Sequence, residues 1–550
     1  MTALLTENLP LLVGAPNGIK KLRELILELA VRGKLVPQDP SDEPASDLLK
    51  RIAEEKARLV AEGKIRKQKP LAEISEEEKP FELPVSWTWS RLGSQVIESG
   101  AGWSPSCEPR PREDNEWGVL KVSAVSWGVY QPEENKALPE NLEARPEHEV
   151  AEGDFLVSRA NTAELVARSV VVETTPGHLM LSDKIVRLKL TSLCERRYVN
   201  LANSAPLARD YYSRVAGGTS SSMKNVSREQ ILNLPLALPP LAEQHRIVAK
   251  VDELMALCDR LEAQQADAES AHTQLVQALL DSLTQASDAN DFAANWQRLA
   301  EHFHTLFTTE PSIDALKQTL LQLAVMGKLV PQDPSDEPAE SLLQRNGIKS
   351  QPHTLQGWAE APLGHLGKIL GGSTPSKANA EFWSGDIPWV SPKDMKRPVI
   401  HDSEDHISAK ALAETSLKAV PPKSLLMVVR GMILVHSFPV ALTAREVTIN
   451  QDMKALVPPE EISDYLLMYL QATKAVMVGL VDRSSHGTCK LISEKLWSHI
   501  VCLPPLPEQH RIVAKIDQLM ALCDQLKTRL TQARQLNEQL ASTLVEQAVA

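Results

Sequence analysis

The sequence lacks several features that would assign it to a familiar class. Its apolar runs stay well short of a bilayer span, so no transmembrane segment is expected. Its N-terminus carries Glu7 and has no basic stretch before the short apolar run Leu9–Val13, which argues against a secretory signal. The six cysteines include no C-x-x-C pair, and we expect free thiols in a reducing cytoplasm, with neither disulfides nor a metal site.

A surplus of positive charge is also missing, since the net charge of the chain is −12. Residues 350–503 balance to a net charge of 0 and residues 81–238 to −3, so most of the negative charge lies outside these two segments. Proteins that hold nucleic acid unaided usually carry a basic face. Composition therefore leaves nucleic-acid binding undecided and argues against unaided binding.

Motifs of catalysis are absent as well. The glycine-rich run Gly371–Lys377 lacks the glycine that precedes the lysine of a phosphate-binding loop. Each Pro-Pro pair follows Leu or Val, so the Asn/Asp-Pro-Pro-aromatic loop of amino-methyltransferases is missing. Glu76, Glu78 and Lys79 loosely resemble a nuclease motif, but we interpret them as part of a solvated charged stretch. The sequence predicts a non-catalytic protein.

Two long duplications dominate the sequence. The string GKLVPQDPSDEP begins at Gly33 and recurs unchanged at Gly327. The string LPPLAEQHRIVAKVDELMALCDRL begins at Leu238 and recurs with few changes at Leu503. The segments between these repeats differ from each other. A chain that copies its connectors, but not the segments they flank, is expected to present two different recognition surfaces on a two-fold-like frame.

The first repeated element predicts an amphipathic helix followed by an extended, proline-rich turn. Apolar residues recur at three- and four-residue steps from Ile19 to Leu29 and again from Ile313 to Leu323. Ser312 is the predicted N-cap of the second copy, and Gly33 and Gly327 are the predicted stops.

A further helix is predicted over residues 45–62, with Pro44 at its first position. Its copy ends near Arg345. The charged stretch 51–79 has no counterpart there and makes up most of the 29-residue difference in length between the spans 34–245 and 328–510. The two inserts are therefore of nearly equal size, about one domain each.

The second repeated element predicts a long helix with a heptad seam, about 40 residues and roughly 60 Å long. The polar seam residues His272 and Asn537 occupy equivalent positions, either as tolerated residues or as specific partners of each other. The seam positions are Ile247, Val251, Leu254, Cys258, Leu261, Gln265, Ala268, His272, Leu275 and Leu279 in the first copy, and Ile512, Ile516, Leu519, Cys523, Leu526, Leu530, Ala533, Asn537, Leu540 and Leu544 in the second.

Each insert is rich in short β-type runs broken by glycine and proline. The predicted strands are 117–122, 154–158 and 185–190 in the first insert, and 425–429, 432–435 and 453–457 in the second. Weak correspondences between the inserts, such as Gly102-Trp-Ser-Pro-Ser with Gly372-Ser-Thr-Pro-Ser, predict one fold with diverged surfaces.

Hydroxyl-bearing and basic residues recur in equivalent loops of both inserts and are candidates for DNA contact, with ordinary hairpin turns as the alternative. For Arg159 and Arg430, each of which follows a strand, base recognition and a structural ion pair both stay open. The candidates are Ser104, Ser106, Arg159, Thr219, Ser221 and Lys224 in the first insert, and Thr374, Ser376, Lys377, Arg430, Ser485, Thr488 and Lys490 in the second.

Two variable domains joined by repeated helices, each introduced by LPPLxEQHRIVAK, resemble the specificity subunit of a type I restriction–modification system. The resemblance implies an α+β fold with two globular mixed α/β target recognition domains separated by long antiparallel coiled-coil helices, in a pseudo-two-fold tandem repeat. The implied boundaries are 1–80 for an N-terminal helical region, 81–238 for the first recognition domain, 239–349 for a central spacer, 350–503 for the second recognition domain and 504–550 for the last helix.

The resemblance further implies a cytoplasmic, non-catalytic protein that binds double-stranded DNA, one recognition domain per half of a bipartite target. Two methyltransferase subunits would carry S-adenosylmethionine, and restriction subunits would use ATP and Mg²⁺. Ile247, Val251, Leu254, His272, Ile512, Ile516, Leu519 and Asn537 would serve helix pairing and partner docking. The rival hypotheses are a coiled-coil adaptor whose variable domains bind protein or glycan ligands, and a nuclease with a dispersed site.

Overall fold

A computed structural model describes residues 9–220, 223–483 and 489–549 of the chain. Its internal contacts divide the chain into two compact units. Unit 1 comprises the residues up to Asp267 together with those from Arg534 onwards, and unit 2 comprises Ala268–Ala533. In the part of the chain that is described, none of the helices combines the length and apolar character that a membrane crossing requires.

Unit 1 begins with helices and continues into the first recognition domain. Its helices are α1 (Leu9–Gly14), α2 (Gly18–Val31), α3 (Ala45–Ala61), α4 (Arg196–Ser204), α5 (Pro206–Val215) and α6 (Arg228–Leu232). Its strands are β1 (Thr88–Arg91), β2 (Val96–Ala101), β3 (Gly118–Leu120), β4 (Asn135–Ala137), β5 (Phe155–Ser158), β6 (Ala160–Asn161), β7 (Ser169–Val171), β8 (Leu179–Met180), β9 (Ile185–Leu190), β10 (Gly217–Ser220), β11 (Met223–Asn225) and β12 (Pro235–Leu238).

The long helix α7 (Leu241–Thr284) follows, and unit 2 repeats the order of unit 1. Its helices are α8 (Ala289–Glu301), α9 (Phe303–Leu306), α10 (Glu310–Val325), α11 (Ala339–Arg345), α12 (Ala409–Glu414), α13 (Ser463–Ala472), α14 (Lys474–Gly479) and α15 (Ser493–Trp497). Its strands are β13 (Gln351–Pro352), β14 (Ala359–Pro362), β15 (Lys368–Gly371), β16 (Ile387–Val390), β17 (Val399–Ile400), β18 (Asp405–Ile407), β19 (Leu425–Val428), β20 (Val440–Thr443), β21 (Thr448–Ile449), β22 (Met453–Val457), β23 (Val481–Arg483), β24 (Cys489–Leu491) and β25 (Ile500–Leu503). The last helix is α16 (Leu506–Val549).

Each long helix contributes to the cores of both units. The core of unit 1 contains Ile247 and Cys258 from the start of α7 and Ala541 from the end of α16. The core of unit 2 contains Leu280 from the end of α7 and Ile512 from the start of α16. The predicted fold class, mixed helix and sheet joined by long helices, is confirmed.

The predicted heptad seam is wrong beyond the middle of each long helix. In α7, Cys258 is buried, but Leu275 is 54% exposed and its neighbour Val276 only 3%. In α16, Leu540 is 44% exposed, whereas Ala541 is fully buried. A straight helix with about 3.6 residues per turn drifts by roughly 20° per heptad, so after four heptads the buried face has moved by almost one residue. The buried positions of both helices therefore follow the period of a straight helix, about 3.6 residues per turn, and not the 3.5 of a coiled coil.

The sheets of the two recognition domains share their connections. In unit 1 the larger sheet has the strand order β2-β9-β5-β7, and in unit 2 the order is β15-β22-β19-β20-β17. A second sheet pairs β3 in parallel with β8, and its counterpart pairs β16 in parallel with β21. The predicted strand at 432–435 is wrong: Met432–Val435 forms a 3-10 turn, because Gly431 with φ 131° redirects the chain.

The stretch that follows α3 contacts the first recognition domain, which corrects the interpretation of a solvated charged run at Glu78, whereas Glu76 is exposed as that interpretation expects. Arg91 is only 5% exposed, and its guanidinium donates to both carboxylate oxygens of Glu78 at 2.7 Å. This bond with Arg91 lowers the pKa of Glu78. Gln68 donates to the carbonyls of Val96 and Ile97 at 2.9 and 2.7 Å. We call residues 62–79 the strap.

The predicted N-cap of α10 is wrong, whereas the expectation for the cysteines is met. Thr309, not Ser312, is the N-cap of α10, because the amide of Ser312 donates to the hydroxyl of Thr309 and the amide of Thr309 donates to the hydroxyl of Ser312, each at 3.2 Å. The expectation of free cysteines is confirmed for Cys107, Cys194, Cys258, Cys489, Cys502 and Cys523.

Candidate nucleic-acid interface and its anchor

The repeated Glu-Gln-His-Arg string anchors each recognition domain to its long helix. The indole nitrogen of Trp87 donates to Glu243 at 2.9 Å, and that of Trp358 donates to Glu508 at 3.2 Å. All four side chains are buried, and desolvation raises the pKa of both Glu243 and Glu508. An indole N–H beside each carboxylate satisfies part of a buried charge that would otherwise be costly.

We call the contacts between this string, the recognition domain and the proline-rich turn the joint. The glutamine and arginine of the string contribute to the joint in the same way in both copies. Gln244 donates to the carbonyl of Pro239 at 3.0 Å, and Gln509 donates to that of Pro504 at 2.9 Å. The arginines pair with the aspartates of the PSDEP turns: Arg246 with Asp42 at 2.5 Å and Arg511 with Asp336 at 2.7 Å. The string therefore joins the proline-rich turn, the recognition domain and the long helix.

The two copies of the joint differ at one hydrogen bond. Gln38 donates to the second oxygen of Glu243 at 2.6 Å. The corresponding oxygen of Glu508 is buried and has no partner among the described residues. The joint of unit 2 is therefore the less satisfied of the two.

In unit 1 the predicted DNA-contact residues gather at one end of the larger sheet. Ser158 at the end of β5 pairs with Ile185 at the start of β9, and Ala101 at the end of β2 pairs with Val186. The loops that carry Ser104, Arg159 and Asp183 therefore leave the sheet at the same end. Ser104 donates from its hydroxyl to Asp183, whose amide donates back at 3.0 Å.

Arg159 and Lys224 join this group through the backbone. The amide of Arg159 donates to the carbonyl of Lys184 at 2.8 Å, and Lys224 pairs with Asn161 across β11 and β6. Lys224 itself donates to the carbonyl of Gly218 at 2.8 Å. Among the described residues no partner contacts the guanidinium of Arg159, which is half-buried. We define the unit 1 cluster as Ser104, Arg159, Asp183, Lys184 and Lys224.

Unit 2 brings the equivalent residues together. The hydroxyl of Thr374 donates to Gln451, as Ser104 does to Asp183 in unit 1. Arg430 bridges to Lys490 in the backbone, and its guanidinium lies 3.6 Å from the carboxylate of Asp452. This long, half-exposed ion pair supports the structural role for Arg430 without excluding base contact. We define the unit 2 cluster as Thr374, Arg430, Gln451, Asp452 and Lys490.

Glycine is required at the start of the serine-bearing loop in both units. A Cβ on Gly102 would lie 1.9 Å from the carbonyl oxygen of Leu181, and one on Gly372 would lie 1.9 Å from that of Asn450. Ser106 lies in the loop after Gly102, and Ser376 and Lys377 lie in the loop after Gly372. All three side chains are exposed.

For four of the predicted DNA-contact residues, the structure gives no side-chain contacts. Thr219 lies on β10, whereas Ser221, Ser485 and Thr488 lie outside the described residues. No contact with DNA is tested by the structure, so the DNA-binding role of every candidate stays a prediction.

The predicted helix-pairing residues divide by position along the helices. Ile247, Val251, Leu254, Ile512 and Ile516 are buried, and Leu519 is half-buried. The polar pair does not share one environment: Asn537 is exposed, whereas the ring of His272 lies 3.3 Å from the carbonyl of Thr305 within unit 2.

Sequence reasoning missed the partners of the repeated string and the exposed apolar residues near the clusters. Trp87 and Trp358 lie far from Glu243 and Glu508 in the sequence, and the signal of a shared role is that each stands five residues before a Leu-Gly pair, Leu92-Gly93 and Leu363-Gly364. Trp127, Val129 and Met432 are 62%, 68% and 65% exposed, and an apolar residue in a turn gives no sequence signal of its exposure.

A group with metal-ligand chemistry lies at the base of the second domain, although no metal site was expected. Ligand atoms of His353, Glu360 and Cys502 lie within 4.8 Å of one another. Nδ1 of His353 accepts the amide of Leu355 at 3.0 Å, so the neutral ring carries its proton on Nε2, the nitrogen that faces Glu360. This tautomer does not suit a metal ligand at Nε2.

Comparisons with known proteins bear on the whole chain. Residues 356–534 match the family model described as type I restriction modification DNA specificity domain. The chain is 36% identical over 578 positions to the EcoAI specificity subunit of Escherichia coli, covering 97% of this chain and 94% of that protein. It is 34% identical over 585 positions to the EcoEI specificity subunit of Escherichia coli, with the same coverage of both.

Among solved structures, the HsdS subunit from Thermoanaerobacter tengcongensis superposes with a TM-score of 0.41 at 20% identity, over 86% of this chain and 98% of that chain. The sequence identities to the Escherichia coli proteins extend over nearly the full length of both partners, and they confirm the resemblance carried by the repeated strings. The chain belongs to the family of specificity subunits of type I restriction–modification systems.

Proposed function

We propose that the chain binds a bipartite DNA sequence, with one recognition domain for each half-site, and holds the methyltransferase and restriction subunits of a type I complex. The observation that carries this proposal is the contrast between the two ends of each domain. The Trp–Glu, Gln–Pro and Arg–Asp contacts of the joint to the long helix are the same in both units. The unit 1 and unit 2 clusters keep one arginine and one strand lysine each and differ at the other positions, which are Ser104 and Thr374, Asp183 and Gln451, and Lys184 and Asp452. Two domains that are attached to their helices by the same contacts, but carry different residues in their clusters, suit two half-sites of different sequence.

The charge of the domains supports shared binding of the phosphate backbone. Neither recognition domain carries a positive surplus, and phosphate neutralisation supplies much of the affinity of a DNA complex. Partner subunits would therefore contribute a large part of the non-specific affinity, and this chain would contribute the sequence preference.

The proposal assigns the chemistry to those partners. Two methyltransferase subunits would bring S-adenosylmethionine, and restriction subunits would bring ATP and Mg²⁺, while this chain remains non-catalytic. The exposed stretches 262–270 and 531–537 in the middle of α7 and α16 are available for such partners.

The test is an exchange of one recognition domain. Residues 87–238 are replaced by the corresponding domain of a related specificity subunit, and modified bases are mapped in DNA from cells that carry the chimaeric complex. One half-site is expected to change while the other half and the gap stay the same. The matched exchange of residues 358–503 should change the opposite half. A map in which both halves change, or neither, contradicts the proposal.

The other hypotheses predict different results from the same material. An adaptor for proteins or glycans would leave the methylation map unchanged after either exchange. A nuclease would cleave DNA in the presence of Mg²⁺ as the isolated chain.

A further inference from the structure

Exposed apolar side chains flank the DNA-contact cluster of each unit. In unit 1 this is Trp127, at 62% exposure, and in unit 2 these are Met432 and Ile433, at 65% and 42%. Large apolar side chains that stay exposed beside charged and hydroxyl groups are candidates for contact with a partner.

Trp127 is held in a closed turn beside the unit 1 cluster. Strands β3 and β8 run parallel, so the turn after β3 and the segment with Asp183 after β8 leave the sheet at the same end. Asn161 donates from its side chain to the hydroxyl of Ser126 at 2.8 Å, and Asn161 pairs with Lys224. The residue next to Trp127 is thus tied to the strand that carries Lys224.

The turn is closed on its other side as well. The amide of Gln131 donates to the carbonyl of Ala124 at 3.0 Å, and Gly128 takes a positive φ of 83° in open space. The closed turn orders the backbone around Trp127 before any partner binds. A group ordered in advance loses less conformational entropy on binding than a mobile one.

Met432 occupies a comparable place in unit 2 but on a different turn. It follows Arg430 and Gly431, and the amide of Gly431 donates to the carbonyl of Cys489 at 3.0 Å, next to Lys490. The turn that corresponds to Trp127, after β16, instead carries exposed Lys396 and Arg397. The two units therefore present their apolar group from different turns.

We propose that Trp127 and Met432 are base-contacting residues, each of which sets part of the sequence preference of its own half-site through apolar contact with base edges. The proposal rests on the DNA-recognition function proposed above. Apolar contact distinguishes bases, most simply through the thymine methyl group, and cationic groups beside it hold the phosphates. Each cluster contains one carboxylate, Asp183 or Asp452, but its lysine and arginine outnumber it, and double-stranded DNA is the occupant that suits an apolar side chain beside such a cluster.

The experiment compares Trp127→Ala and Met432→Ala with Trp296→Ala and Met326→Ala. The control residues are the same residue types, each 39% exposed; Trp296 lies on α8 and Met326 directly follows α10, and neither belongs to the unit 2 cluster. Each variant is reconstituted with the methyltransferase partner, and modified bases are mapped. Binding to a duplex with the mapped sequence is then measured over a range of salt.

Trp127→Ala is expected to relax the sequence preference at one or two neighbouring positions of the half-site read by unit 1. Affinity should fall about ten-fold, as for the loss of one base contact. Met432→Ala should relax the other half-site only, and the controls should change neither. The slope of log K against log salt should stay the same, whereas loss of one phosphate contact lowers its magnitude by about 0.9. Trp127→Phe should retain most of the preference.

Three results would overturn the inference. These are an unchanged map, a uniform loss of affinity with a shallower salt slope, and release of the methyltransferase partner without relaxed preference. Failure of the proposed function itself would look different, because the unaltered complex would then yield no bipartite sequence at all.

Discussion

At the residue scale, the duplicated string is explained by the close packing around its glycine. Gly33 has φ 70°, and a Cβ there would lie 2.6 Å from the ring of Pro84. Gly327 repeats this arrangement with φ 69° and a distance of 2.7 Å to Leu355. Glycine is thus required at both positions for the backbone conformation, and at Gly33 for space as well, because the Pro84 ring cannot move aside as the end of the Leu355 side chain can.

We expect Gly33→Ala and Gly327→Ala to destabilise the protein more than Gly63→Ala and Gly347→Ala. All four glycines have positive φ, but nothing lies within 4 Å of a Cβ at Gly63 or Gly347. The controls should lose about 1 kcal/mol from backbone strain alone, Gly33→Ala about 1–3 kcal/mol more from overpacking against the Pro84 ring, and Gly327→Ala an intermediate amount because Leu355 can shift. Urea denaturation measures the difference, and equal losses would show that the contact with Pro84 or Leu355 costs nothing.

Trp358→Phe is expected to cost about 1–3 kcal/mol at neutral pH, because it leaves Glu508 buried without a hydrogen bond. The bond from Trp358 favours the ionised form and lowers the pKa of Glu508, while burial raises it by more. Removing the bond raises that pKa further, so the loss is present above the pKa and diminishes as pH falls through it.

Trp389→Phe is the matched control, since the indole of Trp389 donates at 3.0 Å to the neutral carbonyl of Ser373. Its cost should not depend on the ionisation of Glu508. Unfolding free energies measured between pH 4 and 8, a range chosen to span the ordinary glutamate pKa of about 4.3, compare the two variants. A parallel pH dependence for both would refute the assignment.

At the element scale, the long helices show what the period of apolar residues can predict by itself and what depends on contacts with distant parts of the chain. The period of the apolar residues predicted the existence and length of α7 and α16, and the buried positions at their starts. It did not predict the phase of their distal ends, because 3.5 and 3.6 residues per turn differ by little within two heptads and by almost a residue after four. The buried partners there come from distant parts of the chain.

Leu275→Ala and Leu280→Ala distinguish the two phases. Leu275 is 54% exposed and Leu280 is fully buried. Leu280→Ala should therefore cost about 2–5 kcal/mol, and Leu275→Ala less than about 0.5 kcal/mol. Thermal or urea unfolding provides the comparison. If Leu275→Ala were the costlier change, the heptad seam would hold to the end of the helix.

The inserts repeat this distinction between local pattern and tertiary context. Buried strands such as Phe155–Ser158 and Met453–Val457 were predictable from their apolar runs. Met432–Val435 has an equally apolar composition but forms a turn, because Gly431 before it has a positive φ of 131°, which residues other than glycine rarely adopt. The candidate loops were found because they recur, whereas Trp127 was not, because its exposure depends on strands far away in the sequence.

At the scale of the whole molecule, the exposed middle of each long helix connects residues of one unit to residues of the other. Seven residues inserted after Gln265 and after Leu530 would lengthen each helix by about 10 Å and turn its far end by only about 20°. We expect the gap between half-sites to widen by about 3 base pairs at ~3.4 Å each, with both half-sites unchanged. Modified-base mapping measures the gap.

The control for this design is an insertion of five residues at the same two places. Five residues turn the helix by about 140° from its starting phase, so the buried faces at its two ends no longer match their cores. This variant should be destabilised and should methylate poorly. A gap that stays constant after the seven-residue insertion would show that the helices do not set the spacing.

The connectors hold the first recognition domain partly through its main chain. Gln68 of the strap donates to the carbonyl of Val96, Lys56 of α3 donates to that of Gly93, and Gln244 of α7 accepts the amide of Glu195. Every residue offers a carbonyl, and every residue except proline an amide, so a recognition domain of another sequence could enter these contacts without matching changes in the connectors. If each domain reads its own half-site as proposed, a genetic crossover within the duplicated strings would replace one domain whole and would give a lineage a new DNA target in a single event.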